Sequence, residues 1–274
     1  MISFAKAHAC GNDFLIITED AASGHNWAEL ARLICARNTG VGADGVEFFS
    51  WTGSKSGRIR LHNADGSVAE ISGNGTRCVA AWMSAMIGAH PGEELRIETD
   101  AGMRVCRINA VHAERGYSVD VTTGMGIPTA VRKTVTLADG RSIGGIAVSM
   151  GNPHFVILVD KADFSIAGES WPSIGAAICT HPDFPHQTNV EFVRILKPCE
   201  IEIRIFERGV GPTTSSGTGT SASATASIAF HECSSPLTVI APGGPQSVTW
   251  RGFGKELELT GPATLIARGE AWYA

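Results

Sequence analysis

Apolar and polar residues alternate over short stretches along most of this chain, and that alternation predicts strands. Arg58–His62, Leu95–Thr99, Arg104–Ile108, Tyr117–Val121, Ile146–Met150, Phe155–Val159, Val190–Ile195 and Glu200–Phe206 have this pattern. So do Leu237–Ile240, Ser247–Arg251, Glu256–Leu259 and Thr264–Ala267, and strand-like residues already occur within Met1–Asp20. Helical spacing is rarer. Asn26 can cap a helix over Trp27–Ala36, with Leu30, Leu33 and Ile34 on one face. Thr76–Ile87 ends at Gly88, Pro172–Cys179 is short, and Thr218–His231 is rich in alanine and other small residues. The pattern predicts an α+β fold with few helices inside a strand-rich wrap.

The pattern also repeats. Gly11-Asn12-Asp13-Phe14-Leu15-Ile16 returns as Gly151-Asn152-Pro153-His154-Phe155-Val156. Val46-Glu47-Phe48 returns as Val190-Glu191-Phe192, and Ser72-Gly73-Asn74-Gly75-Thr76 as Ser216-Gly217-Thr218-Gly219-Thr220. Three matches in one order at a nearly constant offset predict two homologous halves. The switch between them is expected near Thr122–Pro128, where Thr-Thr-Gly-Met-Gly-Ile-Pro breaks the strand pattern. The halves are then residues 1–122 and 123–262.

Composition narrows the class of protein. A chain of 274 residues with 43% hydrophobic and 18% charged residues can bury a sizeable core. A net charge of -5 and no basic cluster argue against a nucleic-acid or acidic-membrane partner. Seven cysteines without C-x-x-C spacing fit neither a disulfide framework nor a zinc site, so no metal and a reducing, cytoplasmic location are expected. No signal peptide and no membrane span are expected either.

Both Ser-Gly-x-Gly-Thr turns precede predicted helices. Glycines let a ligand approach the backbone, and a helix's first turn offers unpaired N–H groups, so each turn is a candidate anion site. A carboxylate suits it as well as a phosphate, because the P-loop lysine and the dinucleotide spacing are both absent. Two such N-termini can stabilise a carboxylate and the charge that develops when its α-proton leaves. Asn63 and Glu207 stand equally far before Ser72 and Ser216. Arg208 can pair with a carboxylate and Glu207 with an ammonium, although an Arg beside a Glu is more often a surface pair. His154 is a candidate general acid or base, although a lone histidine is more often structural.

Together these residues resemble the motifs of the diaminopimelate epimerase family. Gly-Asn-Asp-Phe, Asn-Ala-Asp-Gly-Ser, Gly-Asn-Gly-Thr-Arg-Cys, Gly-Asn-Pro-His, Asn-Val-Glu-Phe and Glu-Arg-Gly-Val-Gly occur in the family's order from residue 8 to about 220. The resemblance implies two pseudo-symmetric barrel-like domains, each around a central helix, with the site in a cleft. About 263–274 would return to the first domain. It implies a cofactor-independent isomerase that interconverts LL- and meso-diaminopimelate, a lysine and peptidoglycan precursor, by moving an α-proton. The ligand is a small diamino dicarboxylic acid, no cofactor is used, and a homodimer is allowed. Its amino-acid end would be held by Asn63, Asn152, Asn189, Glu207 and Arg208, with Asn12 nearby. Its reacting carboxylate would sit on the backbone of Gly73, Asn74, Gly217 and Thr218.

The two catalytic cysteines of the family align with Ser72 and Ser216, and Pro212 replaces its usual glutamate. A cysteine of pKa about 8.5 supplies thiolate near neutrality, whereas an unassisted serine supplies essentially no alkoxide. Four readings follow. The serines are activated by a neighbour such as His154; the chain is a different cofactor-free isomerase of this fold; native cysteines have been replaced; or it is a non-catalytic or repurposed amino-acid binding protein.

Overall fold

The computed structural model describes residues 1–69, 71–114 and 116–272. Its contacts divide the chain into two compact units, Met1–Gly124 with Thr260–Ala274, and Met125–Leu259.

The first unit begins with β1 (Ile2–Ala9), β2 (Asn12–Thr18) and α1 (Trp27–Cys35). It continues through β3 (Gly45–Gly53), β4 (Ser56–Asn63), β5 (Val68–Ala69) and α2 (Gly73–Ile87). β6 (Glu94–Thr99), β7 (Gly102–His112) and β8 (Tyr117–Gly124) complete its first pass. The second unit holds β9 (Thr129–Thr136), β10 (Ser142–Ser149), β11 (Pro153–Leu158), α3 (Trp171–Cys179), β12 (Asn189–Lys197) and β13 (Glu200–Glu207). Then come β14 (Gly211–Thr213), α4 (Gly217–Phe230), β15 (Leu237–Ala241) and β16 (Gly244–Trp250), and the chain ends on β17 (Leu257–Ala271).

In the first unit β1 pairs antiparallel with β2, β2 parallel with β3, β3 antiparallel with β4, and β4 parallel with β6. The ladder runs on through β7 and β8, and β17 bonds both β8 and β1. Eight strands therefore close into a barrel, which leaves no open edge. α2 fills it: Cys78, Val79, Ala80, Ala81 and Met83 pack among Phe14, Leu95, Ile97, Ile108, Val119 and Val121. α1 packs elsewhere, through Leu30, Ala31 and Ile34 against Val46 and Phe48.

The second unit repeats this wiring. β10–β11 is antiparallel, β11–β12 parallel, β12–β13 antiparallel, β13–β15 parallel and β15–β16 antiparallel. α3 and α4 fall at the same points of the order as α1 and α2. The chain is thus α+β, with one barrel-like plan built twice around a helix, as a duplication predicts.

α4 is a helix with no polar side through most of its length, because it is surrounded. Three of its hydroxyls are accommodated internally: Ser221 donates to Gly217 O, Thr225 to Ser221 O and Ser227 to Ser223 O, all at 2.8–2.9 Å, whereas Thr220 Oγ1 and Ser223 Oγ are buried without a hydrogen-bond partner among the described residues. Small residues let the strands approach its axis.

Several elements differ from expectation, and β3, β5 and β14 are strands that the pattern does not predict. α2 and α4 start at Gly73 and Gly217, so the glycine turns are the helices' own first turns rather than loops before them. Thr129–Thr136, not predicted as a strand, pairs along its whole length with β10; its mostly exposed, charged face hides the alternation. The two predicted strands around Gly261-Pro262 are one strand, β17, with the Pro262 side chain exposed.

Candidate active site

Each central helix begins on a serine. Ser72 and Ser216 have extended backbones, and their Oγ atoms accept from the N–H groups of Gly75 (3.0 Å) and Gly219 (3.2 Å). These are helix N-caps, each worth about 1 kcal/mol. Thr76 and Thr220 N–H then bond Ser72 O and Ser216 O. The N–H groups of Gly73, Asn74, Gly217 and Thr218 lie in the first turn, where the positive end of the helix dipole favours an anion.

In the first unit a chain of amides leads to this turn. Asn12 Nδ2 donates to Asp44 Oδ2 (2.6 Å), Asn74 Nδ2 to Asn12 Oδ1 (3.1 Å), and Arg77 Nη2 to Asn74 Oδ1 (2.5 Å). A carboxylate only accepts and a guanidinium only donates, so the two ends fix the orientation of both amides between them. Asp44 is itself anchored by Arg37 at 2.7 Å, and Arg37 also holds Asp13, which Lys6 pairs at 3.0 Å. Burial pushes the Asp13 carboxyl up, but its bonds to Arg37 and Lys6 outweigh that and hold it below the usual range. Arg77 is fully buried, and that burial pulls its guanidinium down. Asn63, at the end of β4, donates to Ser67 Oγ at 3.0 Å; the next residue, Ala64, bonds Asp44 O.

The second unit has a matching arrangement of different chemistry. Asn152 Nδ2 donates to Thr218 Oγ1 at 3.4 Å, and Thr218 Oγ1 lies 3.4 Å from Ser216 Oγ. Asn152 Oδ1 faces His154 Nε2 at 3.0 Å, and His154 Nδ1 meets Glu191 Oε1 at 2.7 Å. His154 and Glu191 are buried. Burial pushes the Glu191 carboxyl up and His154 offsets part of that. Asn189, buried beside His154 on the neighbouring strand, accepts the Arg208 N–H at 2.8 Å, and Arg208 Nη1 donates to His186 O. Glu207, half-buried, precedes it on β13.

The structure therefore gathers Asn12, Ser72, Gly73 and Asn74 in one unit, and Asn152, His154, Ser216, Gly217 and Thr218 in the other, with Asn189, Glu207 and Arg208 close in chain or register. Sequence reasoning missed the Lys6–Asp13–Arg37–Asp44 cluster, whose members are scattered along the chain. It also gave no role to Glu47 and Glu191, although a glutamate between two apolar strand residues, found twice, was the available signal. Among the described residues no group of three or more His, Cys, Asp or Glu side chains is placed to hold a metal, and no helix is long and apolar enough to cross a membrane.

This plan is shared with amino-acid epimerases: a hydroxyproline epimerase from Agrobacterium vitis, solved with bound trans-4-hydroxy-L-proline, has the same fold with a TM-score of 0.74 at 16% identity, over 98% of this chain and 91% of that one. The sequence is more specific. The family model described as diaminopimelate epimerase matches residues 4–131 and 146–266. A diaminopimelate epimerase of Carboxydothermus hydrogenoformans is 36% identical, and one of Heliobacterium modesticaldum 33%, each over 98% of this chain and 99% of the relative. The chain belongs to the diaminopimelate epimerase family.

Proposed function

We propose that this protein interconverts LL- and meso-diaminopimelate, a step of lysine biosynthesis, by removing the α-proton and returning one to the opposite face. The observation that carries the reading is the doubled motif, a serine-capped helix N-terminus joined by a side-chain hydrogen bond to an asparagine, Asn12 to Asn74 and Asn152 to Thr218. Inversion needs one group that takes a proton and another that gives one, and each unit offers one candidate, Ser72 and Ser216. The helix N–H groups suit the carboxylate, whose charge grows as the proton leaves. Asn63, Asn189, Glu207 and Arg208 suit the distal amino-acid end, and His154 supports Asn152.

A second reading is favoured by the hydroxyls themselves. Both are engaged as caps, and neither is an independent base, so the site suits binding of the same ligand without turnover. Incubation with diaminopimelate in deuterated water, alongside calorimetry, separates the two. Deuterium at the α-carbon supports the epimerase, binding without label supports the second reading, and neither removes diaminopimelate as the ligand.

A further inference from the structure

The two units differ at one buried carboxyl. Glu47 on β3 and Glu191 on β12 occupy the same place in the repeat, and both are fully buried. Glu191 is held by His154. The residue matching His154 in the first unit is Phe14, and neither Glu47 oxygen has a hydrogen-bond partner among the described residues. A buried carboxyl without a partner is costly. Its position is specific: a Cβ added at Gly75 would collide with Glu47 Oε1 and lie 3.2 Å from Ser72 Cβ. The carboxyl and the cap serine therefore border the same small space above Gly75. At the matching Gly219 the added atom would lie 2.9 Å from Glu191 Oε1 and 3.3 Å from Ser216 Oγ.

We propose that Glu47 is the proton store of the first unit, exchanging a proton with the substrate's α-carbon through the Ser72 hydroxyl. This rests on the epimerase reading above. As the Cα–H bond breaks, its proton passes to Ser72 Oγ while the serine's own proton passes to Glu47, a transfer that requires the hydroxyl to turn towards the carboxyl, since the two make no hydrogen bond in this structure. The electron pair stays on the substrate, spread into its carboxylate, and Glu47 ends neutral. Return reverses each transfer, and no other reactant is consumed. Glu47 acts through Ser72 and does not touch the substrate.

The surroundings suit a group that both takes and gives a proton. Burial pushes the Glu47 carboxyl up to about 8, close to working pH. Its register partners on the adjacent strands are Ile16 and Leu61, which carry no charge. On α2 it acts on Cys78, whose thiol burial pushes up and Glu47 raises further; Arg77, Asp13 and Cys10 also act on that thiol.

The test is α-hydrogen exchange of diaminopimelate in deuterated water by four full-length chains: the protein itself, Glu47→Gln, Ser72→Cys, and the two changes combined. Glu47→Gln keeps the shape but cannot take the proton, so exchange should fall about 100-fold or more, with affinity by calorimetry nearly unchanged. The limb of the pH–rate profile that belongs to Glu47 should vanish with it. A thiol at position 72 is its own base, so adding Glu47→Gln to Ser72→Cys should change the rate little. Equal losses in both backgrounds would make Glu47 a structural support and overturn the relay, as would a Glu47→Gln chain that exchanges normally. If the unaltered protein puts no deuterium on the α-carbon of diaminopimelate, the epimerase reading falls and the relay with it. If it does and the Glu47 results fail, the relay alone falls. Should Glu47→Gln not fold, Glu47→Asp carries the same comparison, with a shortened carboxyl that slows the serine background and not the cysteine one.

Discussion

At the scale of single residues, two buried carboxyls of the first unit, Glu47 and Asp13, give opposite pH dependences. Glu47 has an ordinary value of 4.5 and is raised to about 8 by burial. Between these values the folded chain keeps a proton that the unfolded chain has lost. The stability tied to Glu47 is therefore complete below about pH 4.5 and falls as pH rises towards 8, by about 1.4 kcal/mol per pH unit. Urea midpoints between pH 5 and 8 should lose this slope in Glu47→Gln; an unchanged slope would mean that the carboxyl is ionised in the fold. Asp13 is held below its ordinary value, so its contribution is present above that value and is lost as acid takes the pH through its lower folded one. Asp13→Asn should be less stable at neutral pH and should flatten the acid limb of the same measurement.

At the scale of elements, the two central helices begin alike but against different neighbours. Gly75 and Gly219 each leave room for a buried glutamate beside a cap serine. Gly75→Ala should destabilise the protein by about 1–3 kcal/mol through overpacking. Gly219→Ala should cost less, since its new atom would come to 2.9 Å from Glu191 Oε1, a milder clash than the one at Gly75. Adding Glu47→Ala should relieve the first substitution and leave the second untouched, and thermal unfolding of the pairs measures this. Equal costs at both glycines would mean that the carboxyl is not the obstacle. Helical spacing in the sequence starts the first of these helices at Thr76 and so leaves Gly73 and Gly75 outside it, because glycine is a poor helix former, whereas the helix predicted from Thr218 already includes Gly219. Close packing against Glu47 and Glu191 decides in favour of glycine there.

At the scale of the molecule, the first barrel depends on a strand from the far end of the chain. β17 bonds β1 from Ile2↔Ala271 to His8↔Thr264 and also pairs with β8. Ending the chain at Leu259 would open the barrel between β1 and β8 and expose Ala7, Ala9 and the helix they cover. Such a truncation should lose cooperative unfolding of the first unit and gain rapid amide exchange in β1 and β8; retained protection there would show that the barrel closes without it. Ser72→Cys alone should raise α-hydrogen exchange without comparable inversion, and Ser72→Cys with Ser216→Cys should raise both, read by deuterium uptake and chiral separation of the products. Inversion restored by one cysteine would mean that the other serine already serves.

The sequence by itself determined the kind of most elements, because alternation and helical spacing reflect contacts between near neighbours. It also determined the duplication, since motifs such as Ser72-Gly73-Asn74-Gly75-Thr76 and Ser216-Gly217-Thr218-Gly219-Thr220 survive as strings, and through them the family. What only the tertiary structure decided depends on residues far apart in the chain. β17 closes the barrel through pairs separated by most of the chain's length. Lys6, Asp13, Arg37 and Asp44 become one cluster only when β1, β2 and the loop after α1 meet. Glu47 and Glu191 read identically as Val-Glu-Phe, yet one has a histidine and the other has none. The cost of burying a charge is set by what stands opposite it, and a strand pattern records only that a position is inside or outside.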